Sequence, residues 1–280
     1  MIGRLFIDNK DIFKEYGLYV PEQGYNNLIQ WASLKPVPYN DWYEEDGIDP
    51  DLSNPILDSR HCTLRLEGAS STNNIDALVA LLRDKSLHKI EAWEIKQTFE
   101  GLRYVSTSEP KVVDNLWQID ITFIEDNPVH YDTSAPSSQM PLDTGYIIDG
   151  RVPSDYGMRI LDGTFASLSQ MPDRKESWVY SSKHTSGSVS GDTDNGHLKD
   201  YEATLRCLMR ANTLDELWNN YYSLYGQLTQ AGTHEVLAKK NAKRYPCYYL
   251  SQQVRRFYAT DKILLEFDIT LNIYTTPTHF

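Results

Sequence analysis

Two stretches of this chain alternate and then turn helical in the same way. Cys62, Leu64 and Leu66 alternate with polar residues, and so do Ala203, Leu205 and Cys207. A period of two places each set on one face of a strand. Both strands carry Thr-Leu-Arg, at Thr63–Arg65 and at Thr204–Arg206. A polar break containing Asn follows each, and the period then becomes that of a helix. Ile75, Leu78, Val79 and Leu82 form a short apolar stripe; Leu214, Leu217, Trp218, Tyr221, Leu224, Tyr225 and Leu228 form a longer one. Thr213 with Glu216 three residues on fits a capping box, and Gly232 is the expected stop of the second helix.

Further matches keep the same order at an offset of about 140 residues, as a duplication requires. Ile7-Asp8 and Tyr16-Gly17 pair with Ile148-Asp149 and Tyr156-Gly157, Trp42 with Trp178, Tyr104–Ser106 with Tyr249–Ser251, and Ile119–Thr122 with Phe267–Thr270. Asp8-Asn9 and Asp149-Gly150 read as hairpin turns, and Gly17 and Gly157 as positions needing a left-handed or bulged backbone. Strands are expected at Leu5–Ile7, Ile90–Gln97, Leu102–Thr107 and Trp117–Ile124, and again at Glu235–Ala238, Tyr245–Val254 and Ile263–Ile273. The fold class is α+β: a mainly antiparallel β sandwich or barrel with one helix per domain, duplicated in tandem. The domains run over residues 1–127 and 146–280, joined by a Pro- and Ser-bearing linker over 128–145. Each half has a long loop before its Thr-Leu-Arg strand, within Pro21–Arg60 and Ser177–Asp200; loops of that length usually serve contact or function, or are disordered.

Composition narrows the function. The 280 residues carry a net charge of −12, which argues against a general nucleic-acid or anionic-membrane binder. No apolar run approaches the roughly 20 residues of a membrane span, and the first residues show no signal-peptide pattern. The three cysteines, Cys62, Cys207 and Cys247, form no CxxC pair, and the strand pattern buries the first two as reduced core residues.

No catalytic, cofactor-binding or metal-binding signature is present: no phosphate-cradling Gly loop, no HExxH, no dinucleotide fingerprint. The seven histidines lack metal spacing. Paired carboxylates could hydrolyse glycosides. However, Asp120, Glu266 and Asp268 fall on the polar faces of their strands and read as a solvated sheet face. The aromatics outside the expected cores are Trp42 and Trp178, beside the long loops, where they are candidate contact residues.

The element order with Ile148-Asp149-Gly150 and Tyr156-Gly157, a long loop, a strand, one capped helix, a hairpin and a closing strand resembles the tail-tube-like fold. That fold is shared by phage tail tube, distal tail and baseplate hub proteins, and the resemblance covers both halves. It implies a structural, non-catalytic component of a phage or prophage tail. The expected partners are the chain itself and other tail proteins. The ring it implies surrounds a DNA channel and has six tube-like domains, most simply three chains giving two each. DNA would pass without specific binding, with Asp120, Glu266 and Asp268 facing the lumen; the protein would be made in the bacterial cytoplasm and reside in the virion tail. The alternatives are a carbohydrate- or receptor-binding tail module using loop aromatics, and a cell-wall glycoside hydrolase.

Overall fold

The structure is a computed structural model that describes residues 3–69, 71–131, 136, 145–176, 179–184, 186–190, 196–260 and 262–279. The first half runs β1 (Leu5–Ile7), β2 (Lys10–Asp11), α1 (Ile12–Tyr16), β3 (Tyr39–Asn40), β4 (Asp49–Pro50), β5 (Arg60–Gly68), α2 (Thr72–Asp84), β6 (His88–Ala92), β7 (Gln97–Thr107), β8 (Lys111–Val113) and β9 (Leu116–Glu125). The second runs β10 (Tyr146–Ile148), β11 (Met158–Ile160), α3 (Thr164–Leu168), β12 (Val179–Ser181), β13 (Ser188–Ser190), β14 (Tyr201–Ala211), α4 (Leu214–Leu228), β15 (His234–Ala238), β16 (Lys243–Tyr258), β17 (Ile263–Ile273) and β18 (Thr278–His279).

The alternating strands produce two antiparallel seven-stranded sheets with one order. The first is β2-β1-β6-β7-β9-β5, with β8 on β9; the second is β10-β15-β16-β17-β14-β11, with β18 on β16. Strand for strand, β1, β6, β7, β9 and β5 correspond to β10, β15, β16, β17 and β14. The register agrees too: Arg65 faces Asp120 across β5 and β9, and Arg206 faces Asp268 across β14 and β17. A bulge follows Tyr104 in one half and Tyr249 in the other. The protein is therefore a tandemly duplicated α+β fold with one long helix in each half. Cys62, Leu64, Leu66, Ile119, Ile121 and Phe123 fill the first core with Ile75, Leu78 and Leu82 of α2; Leu205, Cys207, Phe267, Ile269 and Leu271 fill the second with Leu217 and Leu224 of α4. All three cysteines are free and buried, and burial pushes the Cys62 thiol up to about 11.

Local chemistry explains the turns. Asp8-Asn9 and Asp149-Gly150 adopt positive φ at both positions, the backbone of a tight hairpin turn. Gly17 and Gly157 are left-handed, as expected, and cap one-turn helices at α1 and Pro153–Tyr156. Three expectations shift. The strand expected over Ile90–Gln97 breaks, because Trp93–Ile95 forms a 3-10 turn ending in left-handed Lys96. The capping box forms differently: Thr213 accepts from Glu216 N as expected, while the Glu216 carboxylate accepts from Asn212 N. Finally, α4 ends at Leu228, before Gly232, whose N–H instead donates to Leu52 O at 2.9 Å.

Each half carries a buried His–Asp pair that pins the first hairpin to the end of the long helix. His88 Nδ1 lies 2.8 Å from Asp8 Oδ2, and its Nε2 lies 2.9 Å from Leu82 O. His234 Nδ1 lies 2.7 Å from Asp149 Oδ2, and its Nε2 lies 3.1 Å from Gln230 O. The other carboxylate oxygen takes the next strand's N–H, from Lys89 and from Glu235. Burial alone would lower the His234 pKa; the Asp149 hydrogen bond and charge, with the Gln230 carbonyl, raise it on balance.

A histidine whose folded pKa lies above its unfolded value near 6.5 adds stability that is complete below that pH and is lost as pH rises through the folded value. Asp149→Asn should therefore cost about 1–3 kcal/mol below pH 6.5. The gap to the parent protein should narrow as pH rises, which urea melts across a pH series will measure. A pH-independent gap would show that the pair does not titrate in this way.

Candidate assembly surfaces and the interdomain strap

The segment between Tyr19 and Ser59 leaves the first sheet and lies over the second. Its apolar run, Leu28, Ile29, Trp31 and Ala32, is buried throughout. Trp31, 3% exposed, inserts among the aromatics of the second half. It stacks on Tyr225 at 4.9 Å between centroids and 17° between planes, contacts Tyr221 at 4.7 Å, and meets Phe267 and Tyr249 edge-on. The backbone is tied down around it. Tyr221 OH donates to Ile29 O, and Tyr225 OH and Tyr249 OH both donate to Ala32 O. Trp31 N donates to Gln252 Oε1 and Leu34 N to Leu250 O, both at 3.0 Å. Upstream, Gln23 exchanges hydrogen bonds with both backbone groups of Phe257.

Further on, the β3–β4 hairpin is held by the same half. Gly47 N donates to Leu198 O at 2.7 Å and Ile48 N to Tyr274 O at 2.8 Å. A Cβ on Gly47 would lie 1.8 Å from the Tyr274 carbonyl oxygen, and its φ is +76°, so only glycine lets the backbones approach this closely. Asp46 accepts from Leu198 N and Thr276 Oγ1, and these bonds lower its pKa.

Because the strap covers it, α4 is buried on two sides. Leu217, Leu224 and Leu228 face its own sheet, while Trp218, Tyr221 and Tyr225 face residues of the first half. Trp218 Nε1 donates to Ile95 O at 2.7 Å, and Tyr222 stacks on Tyr131 at 4.1 Å. An open cavity of about 340 Å³ lies beside this junction, lined by Trp31, Arg60, Phe99, Tyr131 and Tyr222 among others. Its one buried cation is engaged: Arg60 Nε pairs with Glu125 at 2.7 Å, and Nη1 donates to the carbonyls of Leu28 and Gln30. Arg60 thus fixes the entry to the strap. Among the described residues no group of three or more His, Cys, Asp or Glu could hold a metal ion.

The sequence-derived candidates distribute as follows. Asp120 is on β9 of the first sheet, and Glu266 and Asp268 share a face of β17 in the second. Each carboxylate has a cationic neighbour. Asp120 makes a two-point pair with Arg65 at 2.8 and 3.1 Å. Asp268 pairs with Arg255 at 2.7 Å, and Glu266 stands opposite Arg256. Trp42, 53% exposed, sits on the strap hairpin with exposed Tyr39 and Tyr43; its carbonyl accepts from Lys175 Nζ. Trp178 lies outside the described residues, as do residues 132–135 and 137–144 of the expected linker. Trp31, the residue on which the junction turns, is absent from the sequence-derived set. Its signal was the apolar cluster Leu28-Ile29-Gln30-Trp31-Ala32 inside a Pro-interrupted segment.

The sheet ends differ. β5 bonds outward only near its end, through Tyr19 with Glu67 and through Gly24 with Arg65. His61 and Thr63 face the same way with no backbone partner among the described residues. On β14 the matching positions, Glu202 and Thr204, are covered: Glu202 O accepts from Gln170 Nε2, and Thr204 N donates to Ser167 Oγ.

No family model matches the chain, and no curated protein matches it. Among solved structures the chain is similar to the Dit protein of phage SPP1, whose structure is described as a paradigm of the hub adsorption apparatus in phages infecting Gram-positive bacteria. The two are 10% identical, with 96% of this chain and 97% of that chain covered and a TM-score of 0.36.

Trp31→Ala should cost about 3–5 kcal/mol, the range for an aromatic removed from a packed core. Trp42→Ala should change stability by less than about 0.5 kcal/mol. Guanidinium melts of the three proteins test this; equal losses at both positions would show that Trp31 is not the anchor.

Proposed function

We propose that the chain is a structural component of a phage or prophage tail, of baseplate-hub or distal-tail type, forming part of a ring around the DNA channel. The observation that carries this reading is the pair of like sheet–helix domains fixed to each other by the strap while one sheet edge stays open at His61 and Thr63. A ring of similar domains satisfies such edges by pairing them between neighbours. Three chains would supply six domains.

In this reading the outer sheet faces carrying Asp120, Glu266 and Asp268 line the channel. Their arginine partners, Arg65, Arg255 and Arg256, balance the strip locally, within a chain of net charge −12. Such a wall offers duplex DNA no net attraction and so no sticking point. The chain would have no catalytic role; Asp120 and Asp268, already paired with guanidinium groups, make poor general acids. It would be made in the bacterial cytoplasm and reside in the virion with other tail proteins. Among the described residues no helix is long and apolar enough to cross a membrane.

A second reading has its own observation: the exposed Tyr39, Trp42 and Tyr43 on one hairpin could stack on sugar rings and make the chain a receptor-binding tail module. Electron microscopy of the protein at its highest soluble concentration separates the readings. The structural reading expects closed rings of six domain-sized densities with the three carboxylates toward the hole. Linear or globular assemblies without a channel contradict it, and the same carboxylates on the outer wall contradict the lumen assignment. Saturable binding of cell-wall glycans, abolished by Trp42→Ala, would favour the second reading.

A further inference from the structure

The duplication extends into the long loops and leaves one contact unmade. In the first half Leu34 bridges Leu57, Lys35 N donates to Ile56 O at 2.8 Å, and Asp58 N donates to Ser33 O at 2.8 Å. In the second half Arg174 bridges Leu198, Lys175 N donates to His197 O at 2.7 Å, and Lys199 N donates to Asp173 O at 2.7 Å. A two-stranded hairpin follows each ladder, β3–β4 and β12–β13. The ladders therefore superpose Leu34 on Arg174, and Trp31 on Met171.

The two matched residues have opposite environments. Trp31 is in its socket. Met171 is 89% exposed, an apolar side chain with no cover. The socket can be matched in the same way. The bulges after Tyr104 and Tyr249 place Val105 where Leu250 accepts from Leu34. The helix caps Ser71 and Thr213 place Val79 at Tyr221 and Arg83 at Tyr225. No other segment of the described residues packs against this face of the first half, and Val79 is half-buried only by its own core. Val105 is 43% exposed, and a shallow open concavity runs along α2 between Asp76, Val79, Ala80, Arg83 and Asp84. One chain thus holds a filled socket, an empty one, and a plug seated in neither.

We propose that the Met171–Lys175 segment of one chain docks on the α2–β7 face of the first domain of a second copy, repeating between chains the contact that Trp31–Lys35 makes within one. Met171 covers Val79, and Arg174 N donates to Val105 O. The charges suit: exposed Arg174 meets Asp76 and Asp84, and exposed Asp173 meets Arg83. The contact is head-to-tail, because plug and socket are different surfaces, so it propagates from copy to copy and closes where the rotation allows. The inference deepens the ring reading and rests on it, by naming the joint between successive chains.

The test is a cysteine pair, Met171→Cys with Val79→Cys, in the full chain under mild oxidation; the native cysteines are buried. A disulfide between chains, absent in either single variant, is expected, with the closed species as the largest band. Arg174→Glu should lower the assembled fraction at least about tenfold, and Asp76→Lys in the same chain should restore it. Rings in the micrographs without the cross-link overturn this contact and leave the ring. Cross-linked chains that build no closed ring keep the contact and overturn the ring reading. Absence of both overturns both, as does an Arg174→Glu variant that assembles normally while remaining folded by circular dichroism.

Discussion

Insertion of Trp31 into the aromatic cluster of Tyr221, Tyr225, Tyr249 and Phe267 is the interaction on which the rest of this structure depends. Two sheet domains joined only by a linker would move independently, because interfaces within a chain are usually small and polar. Here a segment of the first half completes the core of the second. Burying a large aromatic with its backbone hydrogen bonds satisfied makes separation of the halves as costly as opening a core. The carbonyls of Ile29 and Ala32 take three buried tyrosine hydroxyls, which gives those two carbonyls and the three hydroxyls the partners that burial demands.

The same insertion explains how the duplication became asymmetric. In α4 the positions facing the strap are Trp218, Tyr221 and Tyr225, and the helix is buried on two sides. In α2 the matched positions are Asp76, Val79 and Arg83, and that side meets solvent. The sheet edges diverge in parallel, with β14 covered by Ser167 and Gln170 at the positions where β5 stays open, His61 and Thr63. Where the halves agree most closely, at the His–Asp pairs and the Arg–Asp register, the contacts are internal to each domain. Where α4 differs from α2, its residues face the strap and the first half.

Much of this was legible in the sequence because it follows from short-range rules. Alternation in Cys62–Leu66 and Ala203–Cys207, the stripe of α4, the Thr213 cap and the left-handed glycines each depend on a few neighbouring residues, and each appears where it was expected. The strap was not legible as a strap. Prolines and acidic residues between Pro21 and Arg60 look like loop, and the destination of Trp31 depends on tyrosines roughly 190 residues away. The His–Asp pairs escaped for the same reason: Asp8 and Asp149 were matched to each other, but His88 and His234 reach them only through the sheet. Lys96 in a left-handed conformation broke a strand whose side-chain pattern gave no sign of it.

Amide hydrogen exchange in the intact protein reports whether strap and second core form one cooperative unit. Trp31 N and Leu34 N bond to Gln252 and Leu250 of β16. These two amides should therefore exchange as slowly as those in the centre of β16 and lose protection together with them. Rapid exchange at Trp31 and Leu34 while β16 stays protected would contradict the account, leaving the strap a loosely attached loop and the two domains free of each other.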